Sequence, residues 1–389
     1  MDKPYAGLKV IDFSTTIAGP QCTRMLADMG ADVIKIESLE GDMMRTRPPK
    51  RQGASTAFGQ LNAGKRSLVL DLKSVAGQAA ARRLAGMADI VVENFRPGVM
   101  QRLGLDYETL RAANPRLIYC AISGYGQTGP SSQLPAYAPV VHAASGYDTA
   151  HLSYQDGRDR PDYCGIFIAD VLSGVYAFGA IGTALHHRHA TGVGQLVDVS
   201  MLESMLSLAL TELQRAQFPF SMPARPMYGP VATADGYVML AVASEKTFQY
   251  LLEAAGQQEL GQDPRFEKYA DRRDNWAVLM DYIENWSRTL SSAQCVEQLA
   301  AHGVPCSPYR SVEEALADPQ LVHRAALSEI QDQGGVFKAL NQPFRLSQAD
   351  TSPVGFAASL GEHTREVLKQ AGFTEPEIAE LTGSVDRSS

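Results

Sequence analysis

A single aspartate, Asp170, stands inside the most apolar stretch of the sequence. Residues 165–185 form a run of 21 amino acids in which Asp170 carries the one charge. Burying an unpaired carboxylate is costly, or raises the pKa of the group until it becomes neutral. Two interpretations therefore stay open: Asp170 caps or salt-bridges a helix end, or it is the reactive carboxylate that the fold presents, as a nucleophile or an acid–base group.

The same stretch is long enough to cross a membrane. Four polar residues, 186–189, follow it at once, and no other segment is comparably long and apolar. We therefore expect a buried helix in a soluble protein with no membrane partner. Three of the four polar residues are histidines, but adjacent helical residues point about a third of a turn apart and cannot all face one ion. We expect no metal site.

Signatures of other chemistries are missing from the sequence. It contains no Gly-x-Ser-x-Gly elbow, no Walker loop and no His-Glu-x-x-His pattern. The turn at 14–20 has one glycine where a dinucleotide fingerprint needs three, which argues against NAD. Five scattered cysteines predict free thiols in a reducing cytosol and hence a cytoplasmic protein. The net charge of −8 argues against a nucleic-acid partner.

Alternating strand and helix patterns must position Asp170. Apolar runs at 8–13, 32–37, 67–71, 89–93 and 117–122 predict strands, with helices predicted at 21–29, 75–87 and 107–113. This alternation predicts an α/β fold with a doubly wound parallel sheet. Ligands of such sheets bind outside the carboxyl ends of the strands, which here means the turns at 14–20, 38–51, 94–98 and 123–130.

The length of 389 residues allows two domains. Residues 131–164 are expected to be rich in loops, and the prolines and glycines around 219–230 indicate a boundary. We predict a large α/β domain over 1–220 that carries Asp170, a smaller α+β domain over 230–325, and a C-terminal segment over 335–389 that returns to the large domain.

Eight segments in this order resemble the class III (family III) coenzyme A transferases, the CaiB/BaiF-like family that includes formyl-CoA:oxalate and carnitine CoA-transferases. Besides the Asp170 helix, the segments are LKVIDF at 8–13 together with AGP at 18–20, GADVIKIE at 30–37, NAGKRS at 62–67, VENFRPG at 92–98, ISGYGQTGP at 122–130, TGVGQ at 191–195 and GEHT at 361–364. The resemblance runs nearly end to end.

The resemblance implies that Asp170 is a nucleophile that attacks an acyl-CoA thioester. A mixed anhydride and then an aspartyl-CoA thioester would follow, and the apolar surroundings of Asp170 would exclude water. CoA and acyl-CoA would be substrates, with no permanently bound cofactor. By the same resemblance, CoA lies over the first sheet, and the residues implied to bind it are Ile17, Ala18, Leu70, Lys73, Asn94, Phe95 and Arg102.

The acyl group and the acceptor acid are less constrained by the sequence. A basic loop at 44–51 lies on the face where acyl groups would arrive, and we hypothesise that Arg45 or Arg47 binds the free carboxylate of a dicarboxylic acid. An ordinary solvated loop is an equally good interpretation. Tyr137 is assigned to the same substrate site, and the expected donor is succinyl-CoA-like. The resemblance also implies a homodimer of interlocked chains.

Two rival functions were weighed. A 2-methylacyl-CoA racemase has the same fold and pairs its aspartate with a histidine in a Gly-His-Asp stretch before Ser-Gly. Here that place, counted back from Ser145, holds residues 136–138 without a histidine, and His142 is out of register. A racemase without its second acid–base group would be crippled. A CoA-binding protein without catalysis is the other rival, and the presence of Asp170 argues against it.

Overall fold

The computed structural model describes residues 2–155, 157–218, 228–242 and 244–383. Its described residues cluster into two compact units. The larger unit comprises the described residues within Met1–Leu152, Asp159–Leu213 and His323–Ser389, and the smaller unit those within Ser153–Arg158 and Gln214–Val322.

The larger unit is built on a six-stranded sheet. The strands before residue 201 are β1 Lys9–Asp12, β2 Asp32–Glu37, β3 Lys50–Arg51, β4 Ala54–Ser55, β5 Arg66–Val69, β6 Ile90–Glu93, β7 Ile118–Ser123 and β8 Leu196–Ser200. Of these, β3 and β4 pair only with each other, as a short antiparallel hairpin outside the sheet. The sheet order is β5-β2-β1-β6-β7-β8, and every neighbouring pair is parallel. This is the strand order of the dinucleotide-binding folds, so the predicted doubly wound α/β sheet is confirmed. The order reverses between β1 and β6.

Ten helices accompany these strands in the described part of residues 2–217. They are α1 Ala18–Asp28, α2 Thr56–Asn62, α3 Val75–Gly86, α4 Val99–Arg102, α5 Tyr107–Ala113, α6 Ala138–Ala144, α7 Tyr147–Leu152, α8 Ile168–Thr191, α9 Met201–Leu206 and α10 Leu210–Gln217. A 3₁₀ turn, Met43–Thr46, follows β2.

Helices cover both faces of the sheet because successive strand residues point to opposite sides. Val10 of β1 packs in a core formed with α1, α6, α8 and α9. Ile11, the next residue, packs in a second core with α3 and α5. The apolar strands are therefore buried on both faces, which is why their sequences are nearly continuous apolar runs.

Helix α8 is longer than its apolar stretch and is only partly buried. Within the described residues it alone is long and apolar enough to cross a membrane, a test that a core helix of a soluble protein also passes. One stripe, including Ala177 and Ile181, is buried against the sheet. The opposite stripe exposes Val171, Val175 and Tyr176.

The segment 131–164, expected to be rich in loops, contains helices α6 and α7. Pro139 lies in the first turn of α6, a position to which proline is well suited. The apolar segment after β8 forms two short helices, α9 and α10, rather than one.

The smaller unit has an antiparallel sheet of order β11-β10-β9, made of β9 Tyr228–Ala232, β10 Tyr237–Ala241 and β11 Cys306–Pro308. Its helices are α11 Glu245–Ala255, α12 Tyr269–Asp274, α13 Trp276–Ser287, α14 Ser292–Ala301, α15 Val312–Leu316 and α16 Pro319–His323. Phe248, Leu279 and Cys295 lie in its core. This unit has the expected α+β composition.

The C-terminal elements of the larger unit are β12 Leu327–Asp332, β13 Gly335–Leu340, α17 Thr364–Gln370 and α18 Glu375–Gly383. They pack beside the edge strand β5. The backbone N–H of Val69 donates to the Thr364 hydroxyl at 3.1 Å, and the backbone N–H of Gly361 donates to the Ser67 hydroxyl at 2.9 Å. Val367 and Leu368 complete the core on the α3 face.

Candidate active site

Asp170 lies in the first turn of α8 and is partly buried. Among the residues that the structure describes, none donates a hydrogen bond to its carboxylate and no cation pairs with it. Burial raises the pKa of Asp170 from its ordinary 3.8 to about 6, because a low-dielectric environment disfavours the charged form. The carboxylate is therefore still mostly ionised at pH 7, while being stripped of much of its solvation.

Close packing of α8 against α1 fixes where Asp170 lies. Gly174 is one turn beyond Asp170, and a Cβ atom there would approach the Ala18 carbonyl oxygen to 2.6 Å. Only glycine allows this approach between the two backbones. The nucleophile candidate is thereby held beside the start of α1, where Ile17 and Ala18 are both buried.

The first turn of α8 is also held by a histidine. The backbone N–H of Ala169 donates to Nε2 of His142 on α6 at 3.1 Å, and the His142 side chain is buried. In the sequence, His142 stands out only as a histidine that is out of register with the racemase pattern. In the structure its Nε2 atom is occupied by this backbone donor.

The turn between β1 and α1 is strained and firmly held. Thr16 has a φ of 69°, in the left-handed region that β-branched residues rarely adopt. Its N–H donates to Asp42, with the nearer carboxylate oxygen at 3.2 Å, and Asp42 pairs with Lys35 at 3.0 Å. Lys35 also donates to the Ser14 carbonyl at 2.7 Å. Strain of this kind persists only where surrounding contacts enforce it, as at functional sites.

A second buried ion pair lies under the same turn. Lys65 contacts the Asp12 carboxylate at 3.1 Å and donates to the Pro20 carbonyl at 3.0 Å. Burial alone would raise the pKa of Asp12, but Lys65 and Lys35 outweigh it and hold the pKa below its usual value. Burial lowers the pKa of Lys65 to about 8. These paired charges support the backbone of the turn.

Asn94, expected on the CoA path, joins the turns after β1 and β6. Its side-chain oxygen accepts from the Thr15 N–H and its side-chain nitrogen donates to the Thr15 carbonyl, both at 2.8 Å. Both polar atoms of the amide are therefore used to join the two turns at the place where the strand order reverses. Sequence spacing cannot reveal this bond, because the two residues are 79 positions apart.

A cavity of about 400 Å³ opens at the carboxyl ends of β1, β2 and β5. Three of the residues expected to bind CoA line it together: Leu70 at its buried floor, Lys73 and Phe95. Phe13 and Thr15, from the turn after β1, line it as well. A volume of this size suits part of a small-molecule ligand.

Arg102 and Tyr137 are not among the residues that line this cavity. Arg102 ends the short helix α4 and is exposed. Tyr137 precedes α6 and is 68% exposed.

The two arginines of the basic loop have different surroundings. Arg45 donates to both oxygens of Glu37, at 2.7 and 2.8 Å, and to the Ala358 carbonyl at 3.1 Å. Its guanidinium also stacks over Phe58, 3.8 Å from the ring centre. Arg45 therefore holds the loop in place, whereas Arg47 is exposed and its guanidinium has no polar partner within the described residues.

The remaining titratable clusters offer no other obvious chemistry. No group of three His, Cys, Asp or Glu side chains in the described parts of the chain is arranged to hold a metal ion. The buried thiols of Cys22 and Cys120 have raised pKa values because burial disfavours the thiolate. They are thus poor nucleophiles.

The sequence profile described as CoA-transferase family III matches residues 5–364. The chain belongs to CoA-transferase family III. The resemblance inferred from eight short segments is thereby confirmed, and the protein is an enzyme of this family.

Similar proteins and structures agree with this membership. Succinate–glutarate CoA-transferase of Agrobacterium fabrum is 33% identical, over 94% of this chain and 95% of that protein. Succinyl-CoA–D-citramalate CoA-transferase of Chloroflexus aurantiacus is 33% identical over 97% of each. The crystal structure of a CAIB/BAIF family protein from Brucella suis superposes with a TM-score of 0.84 at 33% identity, covering 95% of this chain and all of the other.

Proposed function

We propose that this family III enzyme moves CoA from a succinyl-CoA-like thioester to a dicarboxylic acid, with Asp170 as the nucleophile. The observation that carries the proposal is the unpartnered carboxylate of Asp170 in the first turn of α8, with a pKa raised to about 6. A desolvated carboxylate that is ionised at neutral pH is a better nucleophile than one paired with a cation.

The reaction proceeds by acyl exchange at Asp170. A carboxylate oxygen of Asp170 attacks the thioester carbonyl and the C–S bond breaks. CoA leaves as a thiolate, and the acyl group and Asp170 are joined as a mixed anhydride. The thiolate then attacks the aspartyl carbonyl, which releases the donor acid and forms an aspartyl-CoA thioester. The acceptor carboxylate repeats the steps in reverse. The energy of the thioester is conserved, so ATP is not needed.

CoA lies over the carboxyl edge of the sheet in this proposal. The cavity lined by Leu70, Lys73 and Phe95 accepts the nucleotide end, with Lys73 supplying positive charge to phosphate. Arg102, exposed at the end of α4, is a second cation on this path. Ile17 and Ala18 border the thioester because α1 packs against α8 next to Asp170. Asn94 acts by fixing the turn rather than by contacting CoA.

The enzyme recognises the acyl group and the acceptor acid through the carboxylate that does not react. The names of the two relatives given above contain succinate, glutarate, succinyl-CoA and citramalate, each with at least one carboxylate besides the reacting group. Of the two loop arginines, Arg47 is the candidate that meets this carboxylate, since the donors of Arg45 are used by Glu37 and Ala358. Tyr137, exposed beside α6, completes the proposed substrate site.

The family resemblance implies a homodimer, and in this proposal the second copy of the chain covers the exposed stripe of α8. Val171, Val175 and Tyr176 form an apolar strip on a helix whose other side is buried. Such a strip fits a protein interface of a soluble cytoplasmic homodimer, in the absence of any membrane or nucleic-acid partner.

The experiment that tests this function uses purified enzyme with succinyl-CoA and a panel of mono- and dicarboxylic acids. New CoA esters are identified by mass spectrometry, and hydroxylamine converts an activated Asp170 to a hydroxamate in its peptide. Dicarboxylic acids should be favoured, and labelling should require the donor. Exchange that survives Asp170→Ala would overturn the mechanism.

A further inference from the structure

The first turn of α8 lacks a cap of its own. Phe167 occupies the capping position and makes no side-chain hydrogen bond. The early N–H groups of a helix have no partner inside the helix and must find one elsewhere. For Ala169, the residue immediately before Asp170, that partner is Nε2 of His142, reached from α6 at 3.1 Å.

This bond defines the protonation state of His142. A nitrogen that accepts a hydrogen bond carries a lone pair, so the imidazole is neutral with its proton on Nδ1. Burial lowers the pKa of His142, and the Asp148 carboxylate on α7 offsets this only in part. The ring is therefore neutral at pH 7 and can act as an acceptor.

The surroundings of His142 contain few other groups that titrate. α6 packs against α7, α8 and α9. From α7 come Asp148 and Tyr147, whose ring centre is 5.9 Å from that of His142. From α8 comes the turn that holds Asp170. The buried side chains of α9 are Met201, Ser204 and Met205, none of which is charged.

We propose that His142 is a positioning residue: its neutral imidazole caps α8 through Ala169 and thereby fixes the Asp170 carboxylate against the start of α1. The proposal rests on the proposed nucleophilic role of Asp170. Protonation of His142 would replace the Nε2 lone pair with an N–H, which would face the Ala169 N–H and break the cap. The position of Asp170 would then depend on pH through a residue that touches no substrate.

Two substitutions separate capping from space-filling. Glutamine offers an oxygen acceptor that does not titrate, whereas leucine fills a similar volume without an acceptor. We expect His142→Gln to keep kcat within about threefold of the parent enzyme. We expect His142→Leu to lose about a hundredfold in kcat, because a misplaced reactive group costs rate steeply, while its Kd for CoA stays within about twofold. The exposed His187, on α8, provides the control variant His187→Leu.

The pH profile adds a measurement that a purely structural role would not change. As the pH falls below the pKa of Asp170, about 6, kcat/KM of the parent enzyme should fall with a slope that steepens from about 1 toward about 2 once His142 also takes up a proton. His142→Gln should retain a slope of about 1 from Asp170 alone. Circular dichroism spectra and melting temperatures confirm that each variant is folded.

The outcomes distinguish this inference from the proposed function. If Asp170→Asn is inactive but folded His142→Leu matches His142→Gln in kcat and pH profile, the positioning role is wrong and the nucleophile stands. If Asp170→Asn retains activity, the nucleophilic mechanism fails first and the cap loses its catalytic purpose. If His142→Leu does not fold, the profile of His142→Gln decides: a slope unchanged from the parent overturns the inference.

Discussion

Two neighbouring regions of the larger unit remove carboxylates from solvent and treat them in opposite ways. Under the turn after β1, Asp12 pairs with Lys65 and Asp42 pairs with Lys35. At the head of α8, Asp170 has neither a cation nor a hydrogen-bond donor within the described chain. Both regions lie beside the start of α1. They therefore differ in the partners of their carboxylates and not in their place in the fold.

The pKa values follow the partners. Burial by itself would raise the pKa of Asp12, but Lys65, Lys35 and hydrogen bonds from Ser14 and Thr23 reverse the effect, and the pKa of Asp12 is lowered. At Asp170 nothing opposes burial, and the pKa rises to about 6. Paired carboxylates thus stabilise the turn, while the unpaired one keeps the basicity and partial desolvation that a nucleophile needs. A raised pKa alone does not distinguish Asp170, since burial also raises the pKa of Glu93 to about 8 while the Phe95 N–H donates to that carboxylate.

The largest effect should come from removing the unpaired carboxylate. We expect Asp170→Ala to lower the rate of CoA transfer by at least about a thousandfold, because the covalent route is lost. Formation of the acceptor CoA ester, followed by chromatography, measures the rate. Glu203→Gln is a matched control, since Glu203 occupies the same third helical position in α9 but is exposed. An equal loss in both variants would contradict the assignment.

Removing a cation from the paired region should damage stability more than chemistry. Lys65→Met leaves Asp12 buried without its nearest cation, and we expect a loss of about 3 kcal/mol in the free energy of unfolding. Denaturant unfolding at pH 7.5 gives the value.

The double variant Asp12→Asn, Lys65→Met should recover at least half of this loss, because no uncompensated charge remains. Lys50→Met, at an exposed lysine, should change stability by less than about 0.5 kcal/mol. If Lys65→Met were as stable as Lys50→Met, the pairing would have no structural importance.

Removing the unpaired carboxylate should stabilise the fold at neutral pH. Between pH 4 and pH 6 native Asp170, with a pKa of about 6 against its ordinary 3.8, binds more protons than the unfolded chain. Stability therefore falls as pH rises through this window, and the full penalty is present at pH 7. We expect Asp170→Asn to gain about 1–2 kcal/mol at pH 7.5, after allowance for partial exposure. The gain should vanish below pH 4. Denaturant unfolding of both proteins at pH 7.5 and below pH 4 measures it.

The two loop arginines extend the comparison to cations. Arg47→Ala should raise KM for the dicarboxylic acid about fivefold with no change in melting temperature, because an exposed ion pair to substrate contributes modestly. Arg45→Ala should instead lower the melting temperature, since it removes the partner of buried Glu37. Steady-state kinetics with acids of matched length, with and without the second carboxylate, separate the two roles. An unchanged KM in Arg47→Ala would eliminate that contact.

Much of the fold was predictable because it depends on local patterns. The short apolar strands and intervening helices have clear periodicities, and β2 and α5 match their expected ranges. The helices of 131–164 were missed because both are short: α6 packs against α7, α8 and α9, and this packing rather than the local sequence stabilises it. Sequence periodicity carries little information about such elements.

The sequence by itself determined the doubly wound sheet, the family, and Asp170 as the charged residue of an apolar helix, because each is carried by contiguous residues. Tertiary structure alone decided which polar groups are already occupied. Asn94 is bound to Thr15, Arg45 to Glu37, and His142 to the backbone beside Asp170. Of these, the Asn94–Thr15 and His142–Ala169 bonds join residues far apart in the chain, and all of them depend on how strands and loops pack. Whether a polar side chain is free for chemistry is therefore settled by its neighbours in space.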